Sequence, residues 1–197
     1  MNNSLKLDFP ILQKKIRNNS ITYLDTASTS QKPKTVIDSI TNFYINSYEN
    51  VHRGMNSLSI DATEIFEASR EKIKNFINAK SSNEIIFTKN ATEGTNIIAH
   101  ALSSLLKDGD EIITTELEHH SNFLPWLSLC KLKNLKFKVI PLLPNGTINE
   151  EAVINAISSS TKLVAISHMS NVTGQMINVK KIKSSCNNSD VLFFIDG

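Results

Sequence analysis

Apolar positions in this chain recur at two periods. Between residues 84 and 195, short apolar runs alternate with stretches whose apolar residues fall three or four apart. Short runs bounded by polar residues predict strands, and the three-to-four spacing predicts amphipathic helices. The predicted strands are 84–88, 111–114, 137–140, 162–166 and 191–195, with helices at 93–106, 122–132, 149–157 and 179–185. Strands alternating with helices predict an α/β fold with a mostly parallel sheet and helices on both faces. Crossovers of this kind are right-handed.

The first part of the chain reads differently. Residues 1–20 form a polar arm around one amphipathic turn at 9–16. Pro33 opens a helix carrying Val36, Ile37, Ile40, Phe43 and Tyr44 at helical spacing. A loop at 48–56 follows, then a long amphipathic helix at 59–77 on Ile65, Phe66, Ile73, Phe76 and Ile77. The expected organisation is an arm (1–20), a helix with an active-site loop (21–58) and a large domain (59–197). No internal repeat or low-complexity linker interrupts it.

Composition narrows the class. At 197 residues, 40% hydrophobic and 20% charged, the chain is long enough for one large domain, or one domain and part of another. A net charge of +2 gives no electrostatic case for nucleic acid or a membrane surface. The apolar runs are strand-length, so no transmembrane helix is expected. Lys6, Lys14, Lys15 and Arg17 flank no long apolar core, which argues against a secretory signal. Two cysteines make no disulfide framework and fit a reducing compartment, so a cytoplasmic location is expected, a plastid-type organelle being the other option.

The topology says where chemistry belongs: at the carboxyl ends of strands and the amino ends of the helices that follow. In Asn90-Ala-Thr-Glu-Gly94, Thr92 suits a helix cap, Glu93 the positive helix end, and Gly94 a close backbone approach. That segment is either a phosphate cradle or an ordinary cap. His119, in Glu118-His-His120, could ligate a metal, move a proton, stack on a flat ring or simply face water. Adjacent histidines match zinc poorly. Asp196 ends an apolar strand and needs a cation or donors, a protonated pyridine nitrogen among the options, unless it caps a following helix. Ser170-Asn171 falls on the same edge. His52, in Val51-His-Arg-Gly54, could shuttle a proton and Arg53 hold a carboxylate, or the loop is merely solvated. Cys130 follows Trp126 on an apolar helical face and reads as core. Cys186, beside Asn187 and Asn188, reads as exposed. Neither reads as a nucleophile.

Taken in order, these segments resemble the class V aminotransferase family of pyridoxal 5'-phosphate (PLP) enzymes, and within it the SufS-like, group II cysteine desulfurases. The resemblance runs from Tyr23 onward. It is carried by Tyr23-Leu-Asp-Thr-Ala27, Gln31-Lys-Pro33, Val51-His-Arg-Gly54, Phe76-Ile-Asn78, Ile86-Phe-Thr88 and Ala91-Thr-Glu-Gly94. Glu118-His-His120 with Asn122 and Pro125-Trp126, His168-Met-Ser-Asn171 with Gly174, and Ile195-Asp-Gly197 complete it.

The resemblance implies the large domain of PLP fold type I, incomplete at its carboxyl end. It implies that Thr92, with the backbone of Thr92 and Glu93, binds the phosphate. His119 would stack on the pyridine ring, Asn171 sit by its hydroxyl and Asp196 pair with its nitrogen. His52 would face the substrate and the partner subunit. The implied reaction removes sulfur from L-cysteine, leaving L-alanine, and passes it through an enzyme persulfide to a SufE- or SufU-type acceptor for iron–sulfur cluster assembly. The implied assembly is a homodimer. Ala91 stands where the family usually has a second Thr. The Schiff-base lysine, the catalytic cysteine and the carboxylate-binding arginine belong beyond Gly197, and Lys89 is a poor substitute for that lysine. These 197 residues are therefore expected to hold the cofactor's cradle and to be inactive alone. With β-strand 191–195 left uncovered, poor folding is also expected. A selenocysteine lyase, another class V PLP enzyme, or a non-catalytic remnant are the competing readings.

Overall fold

A computed structural model describes residues 3–186 and 190–197. The chain divides into two compact units, one ending at Phe87 and the other starting at Thr88. This division by packing falls later than the 58/59 boundary read from the motifs.

The first unit opens with helix α1 (Asn3–Leu7), a 3-10 turn at Pro10–Gln13 and a small antiparallel hairpin, β1 (Lys15–Ile16) with β2 (Asn19–Ser20). The hairpin is an addition to the expected polar arm with its one amphipathic turn. Arg17 and Asn18 at its tip have φ of 49° and 66°, the pair of left-handed residues that a tight two-residue turn requires. Helix α2 (Lys34–Asn46) starts directly after Pro33, whose φ of −68° suits a helix entry. Helix α3 (Ser57–Phe76) is capped by Asn56, which accepts from Ser59 N–H. Asn78, at φ 57°, follows its end in the left-handed region.

The strand expected at 84–88 does not form. Ser82–Glu84 is a 3-10 turn, Ile85 after it is extended, and residues 85–88 pair with no strand among the described residues. Ile86 is 71% exposed. An apolar run becomes a strand only where a neighbour completes its ladder, and none of the described residues does so.

The second unit follows the predicted alternation closely. Its elements are α4 (Ala91–Leu102), β3 (Glu111–Thr115), α5 (Leu124–Lys133), β4 (Lys136–Ile140), α6 (Glu150–Ala156), β5 (Thr161–Ser167), α7 (Val179–Cys186) and β6 (Leu192–Asp196). The sheet order is β4-β3-β5-β6 and every pairing is parallel. Alternation within each strand sorts side chains to two faces. Ile112, Leu163 and Ala165 pack with Ala99, Trp126, Leu129 and Cys130, so α4 and α5 cover one face. Ile113, Val164 and Ile166 pack with Val153, Ile182 and Cys186, so α6 and α7 cover the other. Burial on both faces is why β3 and β5 read as nearly unbroken apolar runs. Each fully buried Ile or Leu contributes roughly 1.5–3 kcal/mol.

Cys186 corrects an expectation. It is 2% exposed and belongs to the α6/α7 core. It lies one turn after Ile182 on the same face of α7, and that face meets the sheet. Asn187 and Asn188, its expected exposed neighbours, lie outside the described residues. No helix among the described residues is long and apolar enough to cross a membrane.

Candidate functional site

In the second unit, the carboxyl ends of β3, β5 and β6 lie along one edge of the sheet. Ser167 of β5 is in register with Asp196 of β6. The first turn of α4 follows Thr88, and its geometry settles which residue caps it. Asn90 is fully extended (φ −168°, ψ 171°), as a cap must be, and its Oδ1 accepts from Glu93 N–H at 2.9 Å. Glu93 Oε2 in turn accepts from Lys89 N–H at 2.6 Å. The pair is a variant of the capping box, with the N–H of the residue before the cap as the second donor. The cap is therefore Asn90 and not Thr92, because Thr92 already has a helical position inside the first turn.

That correction leaves Thr92 available. It is exposed, and its hydroxyl makes no hydrogen bond among the described residues. The Glu93 N–H, by contrast, is already committed to Asn90. Gly94 has no packing reason to be glycine, since a Cβ there would meet only Thr88 at an ordinary 3.5 Å.

His119 lies across a cleft from Thr92. The cleft holds about 320 Å³ and is lined by Thr92, Asn96, His119, Ser121 and Pro125, among others. The His119 ring is held at one nitrogen: Nδ1 accepts from Ser121 N–H at 3.1 Å and lies 2.7 Å from Ser121 Oγ. An accepting Nδ1 places the proton of the neutral ring on Nε2. His119 itself is exposed.

Beneath His119 runs a polar network. Glu118 Oε1 accepts from Thr115 Oγ1 at 2.7 Å, and Oε2 accepts from Asn122 Nδ2 and Ser167 Oγ, each at 2.6 Å. Asn122 Oδ1 accepts from Trp126 Nε1 at 2.9 Å, and both residues are fully buried. Sequence reasoning assigned no role to these residues. Their signal was the spacing, since Glu118, Asn122 and Trp126 stand four apart, and a buried Trp N–H needs an acceptor.

Asp196 is half-buried at the end of β6. Its backbone carbonyl accepts from His168 N–H at 2.7 Å, while its carboxylate has no partner among the described residues. Asn171 is exposed in the turn that follows β5, and no contact joins it to the Thr92 cleft. That turn is shaped by Ser170 Oγ, which accepts from Val172 and Thr173 N–H at 3.1 and 3.2 Å. The Gln175 side chain clasps Ile148 through its N–H and C=O, at 2.7 and 3.0 Å.

His52 belongs to the first unit. Its backbone is left-handed, at φ 76°. Its N–H donates to Thr63 Oγ1 at 2.9 Å, and its ring meets Phe66 edge-on at 5.4 Å. Nε2 lies 3.6 Å from Glu67 Oε1. The loop it belongs to has no room to vary at Gly54: a Cβ there would fall 2.0 Å from Ser59 Oγ.

The cysteines are unsuited to nucleophilic work. Burial pushes the Cys130 thiol up to about 11. Burial also raises Cys186, against a smaller opposing effect of Lys183. Thiols kept protonated at neutral pH are poor nucleophiles.

The donor set fits PLP. A free hydroxyl at a helix N-terminus suits a phosphate, a tethered imidazole suits an aromatic ring, and an unpaired carboxylate suits a protonated ring nitrogen.

Comparison with known proteins agrees. The family described as Aminotransferase class-V matches residues 22–197. A cysteine desulfurase of Serratia proteamaculans is 41% identical over 194 residues, which is 98% of this chain and 48% of that protein. One from Wigglesworthia glossinidia brevipalpis is 42% identical over 195 residues, again 98% and 48%. The apo structure of a cysteine desulfurase from Thermococcus onnurineus NA1 matches all of this chain and 47% of that one, with a TM-score of 0.90 at 34% identity. The chain thus spans about half the length of the curated relatives it matches. By this match over residues 22–197, the chain belongs to the class-V aminotransferase family.

Proposed function

We propose that this chain carries the PLP cradle of a SufS-like cysteine desulfurase. The observation that carries the reading is the uncommitted Thr92 hydroxyl at the start of α4, sharing a cleft with His119. The relatives named as cysteine desulfurases support the activity.

In this reading Thr92 holds the phosphate with its hydroxyl and N–H, aided by the positive end of α4. Glu93 contributes by keeping that turn capped. His119 presents its ring to the cofactor ring, and Asp196 keeps the pyridine nitrogen protonated. Asn171, in the turn after β5, is assigned to the ring hydroxyl. Bound PLP supplies an electron sink for the bonds around an amino acid's Cα. His52, on its loop, holds or moves a proton on the substrate side. Residues 21–58 serve as the substrate-facing segment and 59–197 as the large domain. The substrate is L-cysteine, the products are L-alanine and sulfur bound for a SufE- or SufU-type acceptor in iron–sulfur cluster assembly, and the working unit is a homodimer.

The sulfur-carrying cysteine is neither Cys130 nor Cys186, since burial holds both as thiols. Lys89 is not the cofactor-linking lysine, because it precedes the helix that holds the phosphate. The test is equilibrium binding of PLP to the 197-residue protein, followed by borohydride reduction. Reversible binding is expected, weakened about tenfold or more in Thr92→Ala, as loss of a hydrogen bond to a charged group implies, with no reduced lysine adduct. No binding at millimolar PLP would overturn the reading. A reduced adduct on Lys89 would overturn its exclusion.

A further inference from the structure

We propose that Glu118 is the positioning residue of His119. Its carboxylate ties together three elements: the end of β3 through Thr115, the end of β5 through Ser167, and the 3-10 turn His120–Asn122 that leads into α5 through Asn122. The tie continues into the core, since Asn122 accepts from the buried Trp126 indole. His119 is the next residue after Glu118, and its ring is held by Ser121, the residue before Asn122. The exposed imidazole is thus bracketed between two anchored neighbours at the lip of the Thr92 cleft.

The role is one of position and not of proton transfer. Both Glu118 oxygens already accept hydrogen bonds from protein donors. Charge-assisted bonds of this kind are short and strong, so three converging on one carboxylate fix the connection from β3 to α5, in which Ser121 and Asn122 belong to the 3-10 turn His120–Asn122. The Glu118 side chain makes no contact with the Thr92 cleft, which His119 lines.

This inference rests on the PLP reading for the purpose of the positioning, yet its own test begins without PLP. The variants are Glu118→Ala, Glu118→Gln and Ser167→Ala in the 197-residue protein. The first readout is the side-chain nitrogen NMR of His119 in unliganded protein. Wild type is expected to show one tautomer with the proton on Nε2. Glu118→Ala is expected to show averaged, broadened signals. Glu118→Gln is expected to resemble wild type, because its amide can accept from Asn122 and donate to a hydroxyl. The second readout is PLP affinity, expected to fall roughly two- to tenfold in Glu118→Ala, the cost of ordering one freed side chain on binding, and to be nearly unchanged in Glu118→Gln. Unaltered His119 signals in Glu118→Ala would overturn the proposal, as would a Gln variant as impaired as Ala. If Glu118→Ala does not fold, Ser167→Ala removes one tie and must still shift the His119 signals; unchanged signals overturn the proposal. If wild type binds no PLP while His119 still responds to Glu118→Ala, the PLP reading fails and the positioning role stands.

Discussion

Cys130 shows how one buried group couples to pH. It is 3% exposed, on the buried face of α5, and burial moves its thiol from 9.0 to about 11. Below pH 9 the thiol is protonated whether the chain is folded or not, and it leaves stability unaffected. As pH rises from 9 towards 11, the unfolded chain gives up this proton and the folded chain does not. The unfolded state then binds fewer protons, so stability must fall with pH, by up to about 3 kcal/mol for a two-unit shift. Urea unfolding of wild type and Cys130→Ala at pH 8 and pH 10.5 measures this. The wild type should lose more stability than the variant over that interval, and equal losses would refute the effect. The same burial explains why Cys130 was readable as core from Trp126 four residues before it, whereas Cys186 was misread. Polar neighbours at 183–188 pointed to solvent, but its helical phase with Ile182 turns it onto the sheet.

Among the elements, α4 matters most to the site. Its cap is an asparagine whose side chain replaces a lost helical partner for Glu93 N–H. Asn90→Ala is expected to destabilise the protein by about 1 kcal/mol, the usual cost of losing an N-cap. Asn90→Asp should keep most of it. Thermal melting of the two variants decides, and an Ala variant as stable as wild type would refute the capping role. Most elements were legible in the chain. The four core strands and their helices came from periodicity to within a few residues, because each buries one or two apolar faces. The hairpin at Lys15–Ser20 was missed because it is polar apart from the exposed Ile16 and buries nothing. The strand at 84–88 was over-read, because an apolar run specifies a strand only when another strand completes its hydrogen bonds. Thr92 was mistaken for the cap because both Asn and Thr suit that position, and only the extended backbone of Asn90 chooses between them.

At the scale of the whole molecule, the two units differ in how much they bury. From Thr88 on, two apolar clusters sandwich a sheet. Up to Phe87, the buried apolar side chains among the described residues are Ala62 and Ile85. Along α2, Ile40, Tyr44 and Ile45 are 55%, 64% and 72% exposed. Local stability follows buried apolar contact. Hydrogen exchange is therefore expected to leave β3 and β5 most protected, with α2 and the β1–β2 hairpin exchanging far sooner. Uniform protection across both units would contradict this. Read by itself, the sequence determined the α/β class and the strand and helix order of the second unit. Those properties follow from local periodicity and from the chirality of parallel crossovers. Only the tertiary structure decided that Asn90 caps α4, that Thr92 and His119 share one cleft, and that Glu118 joins β3, β5 and α5. The Asn90 cap and the Glu118 ties depend on which donors meet which acceptors across 3 to 49 residues of chain, and partners at the longer separations, like residues that share a cleft, are brought together by packing, not by local pattern.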